Sequence, residues 1–394
     1  MTSDVVKGFK DYTGDEAEKR AEVKKIIEGA FAKYGFEPAE TPIIEYAQFV
    51  RGENKQDEAV SDIFQLQDKG KRELALRYEF TFQLKRLMKN KKLPYKRYQI
   101  GPVFRDEPVS SNRLRQFVQC DVDTIGADVK DEAEILALAN ELLTGIDVEP
   151  IILVGNRALL NEILEDNGVK DKDKLQVLRE IDKYDKIGEK QLLDNLKKLG
   201  AEKVLDNLKK GEKYFSKFNS YKDVIELIKY CKMYGVKVLF SPTVVRGLSY
   251  YNGNVFEIKA KGVKGNENIS SNSPKRGIIK ETLVAGGSYM FDGIQCTGIS
   301  FGLDRLAVLS PWESAKLRTL VISLEQDKES IKLADKFRSQ GQIVSIYYGK
   351  PSKALEYANS YGYERVIFIG KEEIKIGKYK IKDMKTGKES SEKF

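Results

Sequence analysis

Arginine is the residue type whose placement most directly indicates chemistry in this chain. Lysine far outnumbers arginine, yet arginines cluster between Arg77 and Arg115. A guanidinium is a planar fork that can donate two hydrogen bonds to one phosphate or carboxylate, which a lysine ammonium does less well. Arg105 and Glu107 come where a predicted strand enters a turn, and Arg113 comes where the chain leaves it. We therefore predict a hairpin that binds a polyphosphate, with surface ion pairs as the alternative.

A second arginine lies at the predicted start of a helix. The segment from Gly298 to Gly302 reads as a strand, and Arg305 follows in the first helical turn. The helix dipole favours anions over cations at that end, so the arginine suggests a bound anion nearby. The alternative is that Asp304 and Arg305 form an ordinary surface feature.

A third arginine, Arg246, precedes the paired tyrosines Tyr250 and Tyr251 in a predicted strand rich in aromatic residues. Paired tyrosines in strands usually serve packing, which is the alternative to a binding role. The significance of this strand therefore depends on its combination with the other two segments.

The chain contains no histidine. This absence excludes Ser-His-Asp and Cys-His catalytic machinery, zinc held by histidine and any imidazole base. Cys120, Cys231 and Cys296 are odd in number and lack the spacing of metal ligands, which indicates a reducing intracellular compartment and predicts no metal-ligating residues. Any reaction would have to use carboxylates, tyrosines, arginines and the backbone.

Length and composition set the broad class of protein. A chain of 394 residues allows two or three domains with substantial cores. It carries 68 Lys and Arg against 60 Asp and Glu, and this net charge of +8 permits a polyanionic partner without requiring one. No apolar stretch approaches the roughly 20 residues of a membrane helix, and no secretory signal is visible, so we expect a cytoplasmic protein with no membrane partner.

The elements that must position these residues follow from periodicity. Apolar residues spaced three and four apart predict a helix from Thr13 to Tyr34, with Thr13 in a capping box. A second helix is predicted over 80–90. Residues 95–104 and 114–125 then read as the two strands of an antiparallel hairpin.

One face of the second hairpin strand is polar. A period of two places four side chains in a row on that face, namely Phe117, Gln119, Asp121 and Asp123. Residues 172–233 lack strand character and predict a helical insertion, whereas a strand region returns at 244–258. From 320 to 369 the order strand, helix, strand, helix, strand predicts a small α/β domain, followed by a terminal hairpin.

In combination, these segments resemble the signature motifs of class II aminoacyl-tRNA synthetases. Residues 104–107 and 113–117 are similar to motif 2 of that class, and residues 302–306 are similar to motif 3. The region around 41–42 resembles the weaker motif 1. These motifs leave the amino acid substrate open.

The resemblance is more specific to histidyl-tRNA synthetases in three segments, residues 76–81, 117–123 and 246–251. It spans about residues 5–390, with the motifs in the family order, although the insertion is matched only in position and helical character. Family members often have Gly-Gly-Arg-Tyr-Asp where this chain has a different loop over 286–292.

This resemblance implies roles for particular residues. Arg105 and Arg246 would be catalytic, with Arg105 on the α-phosphate of ATP and Arg246 between that phosphate and the amino acid carboxylate. The remaining ATP-binding residues would be Glu107, Arg113, Phe117 and Arg305. The histidine pocket would be formed by Glu79, Thr81, Gln119, Asp123, Arg246, Tyr250 and Tyr251.

The resemblance also implies an α+β fold, with a class II antiparallel sheet, flanking helices, a helical insertion and a C-terminal α/β domain. The catalytic domain would comprise 1–171 and 239–312, the insertion 172–238 and the anticodon-binding domain 313–394. A homodimer of this kind would join histidine to tRNA(His), using ATP with Mg²⁺. The alternative is a catalytically silent paralogue that serves as the histidine-sensing regulatory subunit of ATP phosphoribosyltransferase.

Overall fold

The computed structural model describes residues 3–52, 62–110, 113–245, 250–261, 282–311 and 317–394. The chain divides into two compact units, Met1–Trp312 and Glu313–Phe394.

The helices described in the first unit are α1 (Gly14–Lys33), α2 (Ala47–Arg51), α3 (Leu84–Leu87), α4 (Val129–Gly145), α5 (Arg157–Asp166), α6 (Asp171–Asp182), α7 (Tyr184–Lys198), α8 (Glu202–Leu208), α9 (Glu212–Phe215), α10 (Tyr221–Met233) and α11 (Leu303–Leu309). Its described strands are β1 (Glu37–Pro38), β2 (Ile44–Tyr46), β3 (Gln65–Gln67), β4 (Glu73–Leu76), β5 (Tyr95–Phe104), β6 (Gln116–Ile125), β7 (Pro150–Asn156), β8 (Val238–Phe240), β9 (Tyr251–Ala260), β10 (Val284–Phe291) and β11 (Ile294–Gly302).

Eight of these strands form one sheet, in the order β1-β5-β6-β11-β10-β9-β7-β8. Its central pairs are antiparallel, and only the outer pairs β1 with β5 and β7 with β8 are parallel among the described strands. Alternation along β6 sends Cys120 and Val122 into the main core, which α1, α4, α10 and α11 cover. The opposite face carries Gln119, Asp121 and Asp123, as the period of two predicts.

The predicted hairpin and first helix are confirmed. β5 and β6 pair antiparallel from Tyr95 opposite Ile125 to Phe104 opposite Gln116. α1 buries Val23 on the sheet. The capping box is wrong, because the side chain of Thr13 makes no capping hydrogen bond.

The predicted helix over 80–90 is wrong except for the single turn of α3. The carbonyls of Thr81 and Gln83 accept turn hydrogen bonds at the start of α3, but the chain before them, at Arg77, is bonded to other segments. The backbone N–H of Arg77 donates to the Ile43 carbonyl, and the Arg77 carbonyl accepts from the N–H of Phe104. These contacts hold the segment open beside β5.

The strand predicted over 244–258 is wrong at its start. Val244 donates its N–H to the carbonyl of Ser241 in a turn, and the strand begins at Tyr251. Residues 246–249 lie outside the described part of the chain.

The segment between β7 and β8 is helical throughout α5 to α10, in agreement with its lack of a strand pattern. It has its own core, separate from the one under the large sheet, which contains Leu160, Ile181, Leu192, Leu205 and Phe215 among others. The small sheet β2-β4-β3 lies elsewhere in the first unit.

The second unit contains, in chain order, β12 (Arg318–Ser323), α12 (Asp327–Ser339), β13 (Ile343–Tyr348), α13 (Pro351–Ser360), β14 (Arg365–Ile369), α14 (Lys371–Ile376), β15 (Lys378–Asp383) and β16 (Glu389–Lys393). The sheet order is β13-β12-β14-β15-β16. The central strand β12 is apolar on both faces, with Val321 packed with α12 and Leu320 packed with α13. The predicted α/β order is confirmed. No helix in the described ranges is long and apolar enough to cross a membrane.

Candidate active site

The floor of the candidate site is the polar face of the large sheet, where residues of β5, β6 and β11 stand directly opposite one another. Three rows of paired residues cross this face, each running from β5 through β6 to β11. They are Arg97–Asp123–Gly298, Gln99–Asp121–Ser300 and Gly101–Gln119–Gly302. Residues opposite each other in neighbouring strands share a face and lie within side-chain contact. The sheet register therefore brings distant parts of the chain to one surface.

Glycine is required in one of these rows by close approach. A Cβ atom at Gly298 would lie 2.1 Å from Oδ1 of Asp123. At Gly302, in the same strand, a Cβ atom would meet nothing within 4 Å. The site of Asp123 thus depends on the missing side chain of its neighbour.

Arg105 lies partly buried just beyond the end of β5. Its Nε donates to the carbonyl of Tyr78 at 3.2 Å, and its Nη2 donates to Oε1 of Gln119 at 3.3 Å. The guanidinium carbon lies 5.1 Å from the ring centroid of Phe117. The structure thus brings together three of the residues predicted from the sequence.

Glu107 and Arg113 form an ion pair with each other across the turn. The Arg113 side chain is 57% exposed, whereas that of Glu107 is 11% exposed. Nearby, Nη2 of Arg115 lies 3.0 Å from Oδ1 of Asp106. The surface ion pairs that were the alternative to a polyphosphate site are therefore present at this turn. The side chain of Arg113 is nevertheless exposed to solvent.

Two buried carboxyl groups near Arg105 hold protons more tightly than usual. Burial raises the pKa of Glu79 to about 7; the charge of Arg105 opposes this rise, and the charges of Asp121 and Asp123 add to it. Burial also raises the pKa of Asp121 to about 6, although Arg97 lowers it. Such a group of carboxyls is a suitable acceptor for a cationic ligand.

Both carboxylate oxygens of Asp123 have protein partners. Nη2 of Arg97 lies 2.7 Å from Oδ2, and the hydroxyl of Tyr289 donates to Oδ1 at 2.5 Å. The Tyr289 ring centroid lies 5.5 Å from that of Tyr250 and 6.4 Å from that of Tyr251. The paired tyrosines pack against another aromatic ring, as the alternative to a binding role predicts. That ring belongs to Tyr289, whose hydroxyl binds Asp123.

Glu79 and Thr81 lie in the segment between β4 and α3, Glu79 buried and Thr81 partly buried. Arg246 lies outside the described residues, so its predicted place in the site is not described. Of the three arginines singled out in separate segments, the structure thus describes Arg105 and Arg305.

For Asp304, the alternative of an ordinary surface feature does not hold. It accepts hydrogen bonds from the hydroxyl of Tyr12 at 2.8 Å, Nη1 of Arg20 at 2.6 Å and the backbone N–H of Val118 at 2.9 Å. Asp304 therefore joins the amino-terminal part of the chain to β6 and α11.

Arg305 is exposed, and its Nη1 donates to the carbonyl of Thr282 at 2.6 Å. Gly302, three residues earlier, pairs with Gln119, whose side chain accepts from Arg105. The register thus places the start of α11 at the end of the sheet where Arg105 lies.

Sequence reasoning missed Arg97, Ser300 and Tyr289. Arg97 belongs to the arginine cluster, and pairing the predicted strands from their outer ends, with Tyr95 opposite Ile125, places it opposite Asp123. That signal was available in the sequence. Tyr289 gave no such signal, because its contact depends on the pairing of β10 with β11 and β9.

Comparisons with known proteins indicate the family of this chain. A family model described as histidyl-tRNA synthetase matches residues 8–306, and one described as anticodon binding domain matches residues 318–393. Histidine–tRNA ligase 1 of Bacillus cereus is 33% identical over 415 aligned positions, which cover 98% of this chain and 96% of that protein.

Two solved structures are similar in fold. Histidyl-tRNA synthetase from Nostoc sp. PCC 7120 has a TM-score of 0.81 at 22% identity, covering 100% of this chain and 97% of that one. A protein described as an ATP phosphoribosyltransferase regulatory subunit/histidyl-tRNA synthetase from Bacillus halodurans C has a TM-score of 0.74 at 21% identity, covering 93% and 98%.

Proposed function

This chain belongs to the histidyl-tRNA synthetase family and is a histidine–tRNA ligase, and we propose that the polar face of its large sheet carries out the activation of histidine. In that step a carboxylate oxygen of histidine attacks the α-phosphorus of ATP, and pyrophosphate leaves. The histidyl group of the resulting adenylate then passes to the 3′ end of tRNA(His), and AMP is released.

The observation that carries this proposal is the position of Arg105 beside Gln119, on the strand that also bears Asp121 and Asp123. Two anions must meet in the reaction, so fixed guanidinium groups are the main requirement for stabilising the charge that develops. Arg105 and Arg246 would supply these groups at the α-phosphate.

The other ATP contacts follow from the same end of the sheet. Arg305 would contact the γ-phosphate, and Arg113 would exchange its ion pair with Glu107 for the outer phosphates. Glu107 would then orient the adenine, which would stack on Phe117.

The histidine pocket would lie deeper on the same face. Glu79, Thr81 and Gln119 would hold the α-ammonium, in keeping with the buried carboxyl of Glu79. Asp123 and Tyr251 would contact the two imidazole nitrogens, while Tyr250 closes the pocket. A ligand that lacked these nitrogens would leave buried polar groups unpaired, which is strongly unfavourable.

Magnesium would accompany ATP and neutralise the β- and γ-phosphates. In the part of the chain that the structure describes, no group of three or more acidic or cysteine side chains is arranged to hold a metal ion. The metal would therefore be held mainly by the phosphates.

A homodimer is supported by an exposed apolar face on the small sheet β2-β4-β3. Tyr46 and Leu66 both stand opposite Leu74, and they are 58% and 40% exposed. Contiguous apolar patches of this kind often mark protein contacts. Light scattering of the chain and of a Tyr46→Glu, Leu66→Glu variant would test it, with loss of the dimer expected in the variant.

Contact with tRNA is supported by the anticodon-binding match over residues 318–393 and by the net positive charge. Backbone contacts of this type weaken as salt concentration rises. The silent regulatory paralogue is not favoured, because that family typically lacks the anticodon-binding domain and this chain retains Arg105 and Arg305.

The test is ATP–pyrophosphate exchange by the full chain, with and without histidine. Exchange that requires histidine is expected. A folded chain that binds histidine and shows no exchange would support the regulatory paralogue instead.

A further inference from the structure

We propose that Arg97 is a positioning residue for histidine recognition, whose buried guanidinium fixes the orientation and the negative charge of Asp123 so that this carboxylate can accept a hydrogen bond from the imidazole. The inference rests on the proposed histidine pocket. It assigns a function to a residue that the resemblance did not include.

The placement of Arg97 supports this role. Its side chain is 0% exposed, and it stands directly opposite Asp123 in the sheet register. Of its three nitrogens, Nη2 lies 2.7 Å from Asp123 and also 3.3 Å from the carbonyl of Phe80. Nε and Nη1 have no hydrogen-bond partner among the described residues. A buried charge is costly unless it is paired, so the main described compensation of Arg97 is Asp123.

The surroundings of Asp123 show why its negative charge requires a cationic partner. The titratable or charged groups described near it are Arg97 on β5, Tyr289 on β10, Cys296 on β11, Asp121 on its own strand and Glu79. Arg97 is the only cation in this described set. Without it, the carboxylate of Asp123 would lie buried beside two other acidic side chains with no described cation to offset its charge.

The contacts that orient the carboxylate of Asp123 are distinct from the contact that it would make with histidine. Tyr289 donates to Oδ1 and Arg97 contacts Oδ2, so the plane of the carboxylate is set from two strands. Each carboxylate oxygen has two lone-pair sites, which leaves acceptor capacity for an imidazole N–H. Arg97 therefore acts through Asp123 and need not touch histidine.

The first test replaces Arg97 with Met, which keeps an unbranched side chain and removes the charge. At pH 7 we expect the KM for histidine in the exchange assay to rise at least about ten-fold, the effect of losing one hydrogen bond to a charged group. The KM for ATP and the kcat at saturating histidine should change little. Arg97→Lys, which keeps the charge, should recover part of the loss.

The division between KM and kcat distinguishes positioning from a merely structural role. A loosened fold would raise the KM for ATP and lower kcat as well, whereas a misoriented Asp123 carboxylate would raise the KM for histidine alone. An equal rise in the KM for ATP would overturn the proposal. So would a KM for histidine that is as high in Arg97→Lys as in Arg97→Met.

A double-mutant cycle covers the case in which Arg97→Met fails to fold. The pair Arg97→Met, Asp123→Asn has no unpaired buried charge, and it is compared with Asp123→Asn. If Arg97 acts through Asp123, adding Arg97→Met to Asp123→Asn should leave the KM for histidine nearly unchanged, and a further ten-fold rise would refute the inference. Arg157→Met, which removes a buried arginine of α5, is the control for loss of a buried cation and should keep the wild-type KM for histidine.

Asp123→Asn by itself distinguishes failure of the proposed histidine pocket from failure of the proposed role of Arg97. If it leaves the KM for histidine unchanged, the proposed pocket is wrong. If it raises that KM while Arg97→Met does not, only the role of Arg97 is wrong.

Discussion

Arg97 and Asp123 face each other across the central hairpin, and their side chains form an ion pair at 2.7 Å with 0% and 6% exposure. A buried pair of this kind adds little net stability, but removing one member leaves the other charge uncompensated, which costs about 3–5 kcal/mol. The pair therefore ties the stability of the sheet to the chemistry of its polar face.

Arg105→Ala should suppress adenylate formation. The variant loses the guanidinium that lies beside Gln119, and with it the stabilisation of charge at the α-phosphate. Loss of such a preorganised donor typically lowers kcat about 10²–10³-fold. Pyrophosphate exchange measures it, with Arg338→Ala in the second unit as the control. Near-normal exchange in Arg105→Ala would contradict the assignment.

Gly298→Ala should disrupt the proposed histidine pocket at Asp123. The new methyl group would lie 2.1 Å from Oδ1 of Asp123, so either the carboxylate or the strand must move. We expect a lower melting temperature and a higher KM for histidine. Gly302→Ala, in the same strand with open space around its Cβ, is the matched control for stability. Equal melting temperatures for the two variants would show that the close approach is unimportant.

Asp304→Ala should destabilise the first unit. The change leaves the Arg20 guanidinium, the Tyr12 hydroxyl and the Val118 N–H without their shared acceptor. The Arg20 side chain is only 12% exposed, so we expect a loss of about 2–4 kcal/mol in the free energy of unfolding.

Urea unfolding measures this loss. The control is Asp335→Ala, since that carboxylate is 63% exposed and pairs only with the nearby Arg338 among its described contacts. A loss no larger than that of the control would mean that Asp304 does not fasten the amino-terminal part.

Glu79→Gln should change how histidine binding depends on pH. Because burial raises the pKa of Glu79 to about 7, the wild-type carboxyl is protonated in acid and ionised in base. Only the ionised form attracts the α-ammonium, so wild-type binding improves as pH rises through 7. The ratio of the variant's KM for histidine to that of the wild type should then increase from pH 6 to 8, by up to about ten-fold. The ratio cancels the titration of free histidine, and a constant ratio would exclude this role.

Glu132→Gln should alter the pH dependence of stability. Glu132 on α4 is buried and accepts from Asn254 and Ser288, each at 2.7 Å, and burial raises its pKa from the usual 4.5 to about 7. Between these values the folded chain binds more protons than the unfolded chain, so its stability falls as pH rises.

This group should account for a loss of about 3 kcal/mol across that range. Urea unfolding at pH 5 and pH 8 should show a smaller decrease for Glu132→Gln than for the wild type. Equal decreases would show that Glu132 titrates as it does in the unfolded chain.

The elements that the sequence predicted well are those with strong local patterns. α1 has apolar residues every three or four positions, and the hairpin of β5 and β6 has long strands around a polar turn. The prediction for the segment leading to α3 failed because Arg77 is buried through hydrogen bonds to the distant carbonyls of Thr41 and Pro102. Periodicity in a short window cannot show such contacts.

The site was predictable to the extent that its residues lie on one strand or within a recognised motif. The polar row of β6 and its neighbour Arg105 are of this kind. The contacts of Asp304 were not predicted because its partners, Tyr12 and Arg20, are nearly three hundred residues away. Tyr289 was missed for the same reason, since its hydroxyl meets Asp123 only after β10 and β11 have paired.

The contacts of Asp304 also bear on the order in which the protein is assembled. Tyr12 and Arg20 leave the ribosome 292 and 284 residues before the carboxylate that they bind. Contacts of such sequence separation form slowly, and larger chains fold through partly structured intermediates. The amino-terminal helix therefore lacks its contact with Asp304 until translation has passed the last strand of the large sheet. A nascent chain that ended before Asp304 would lack the acceptor for Tyr12 and Arg20.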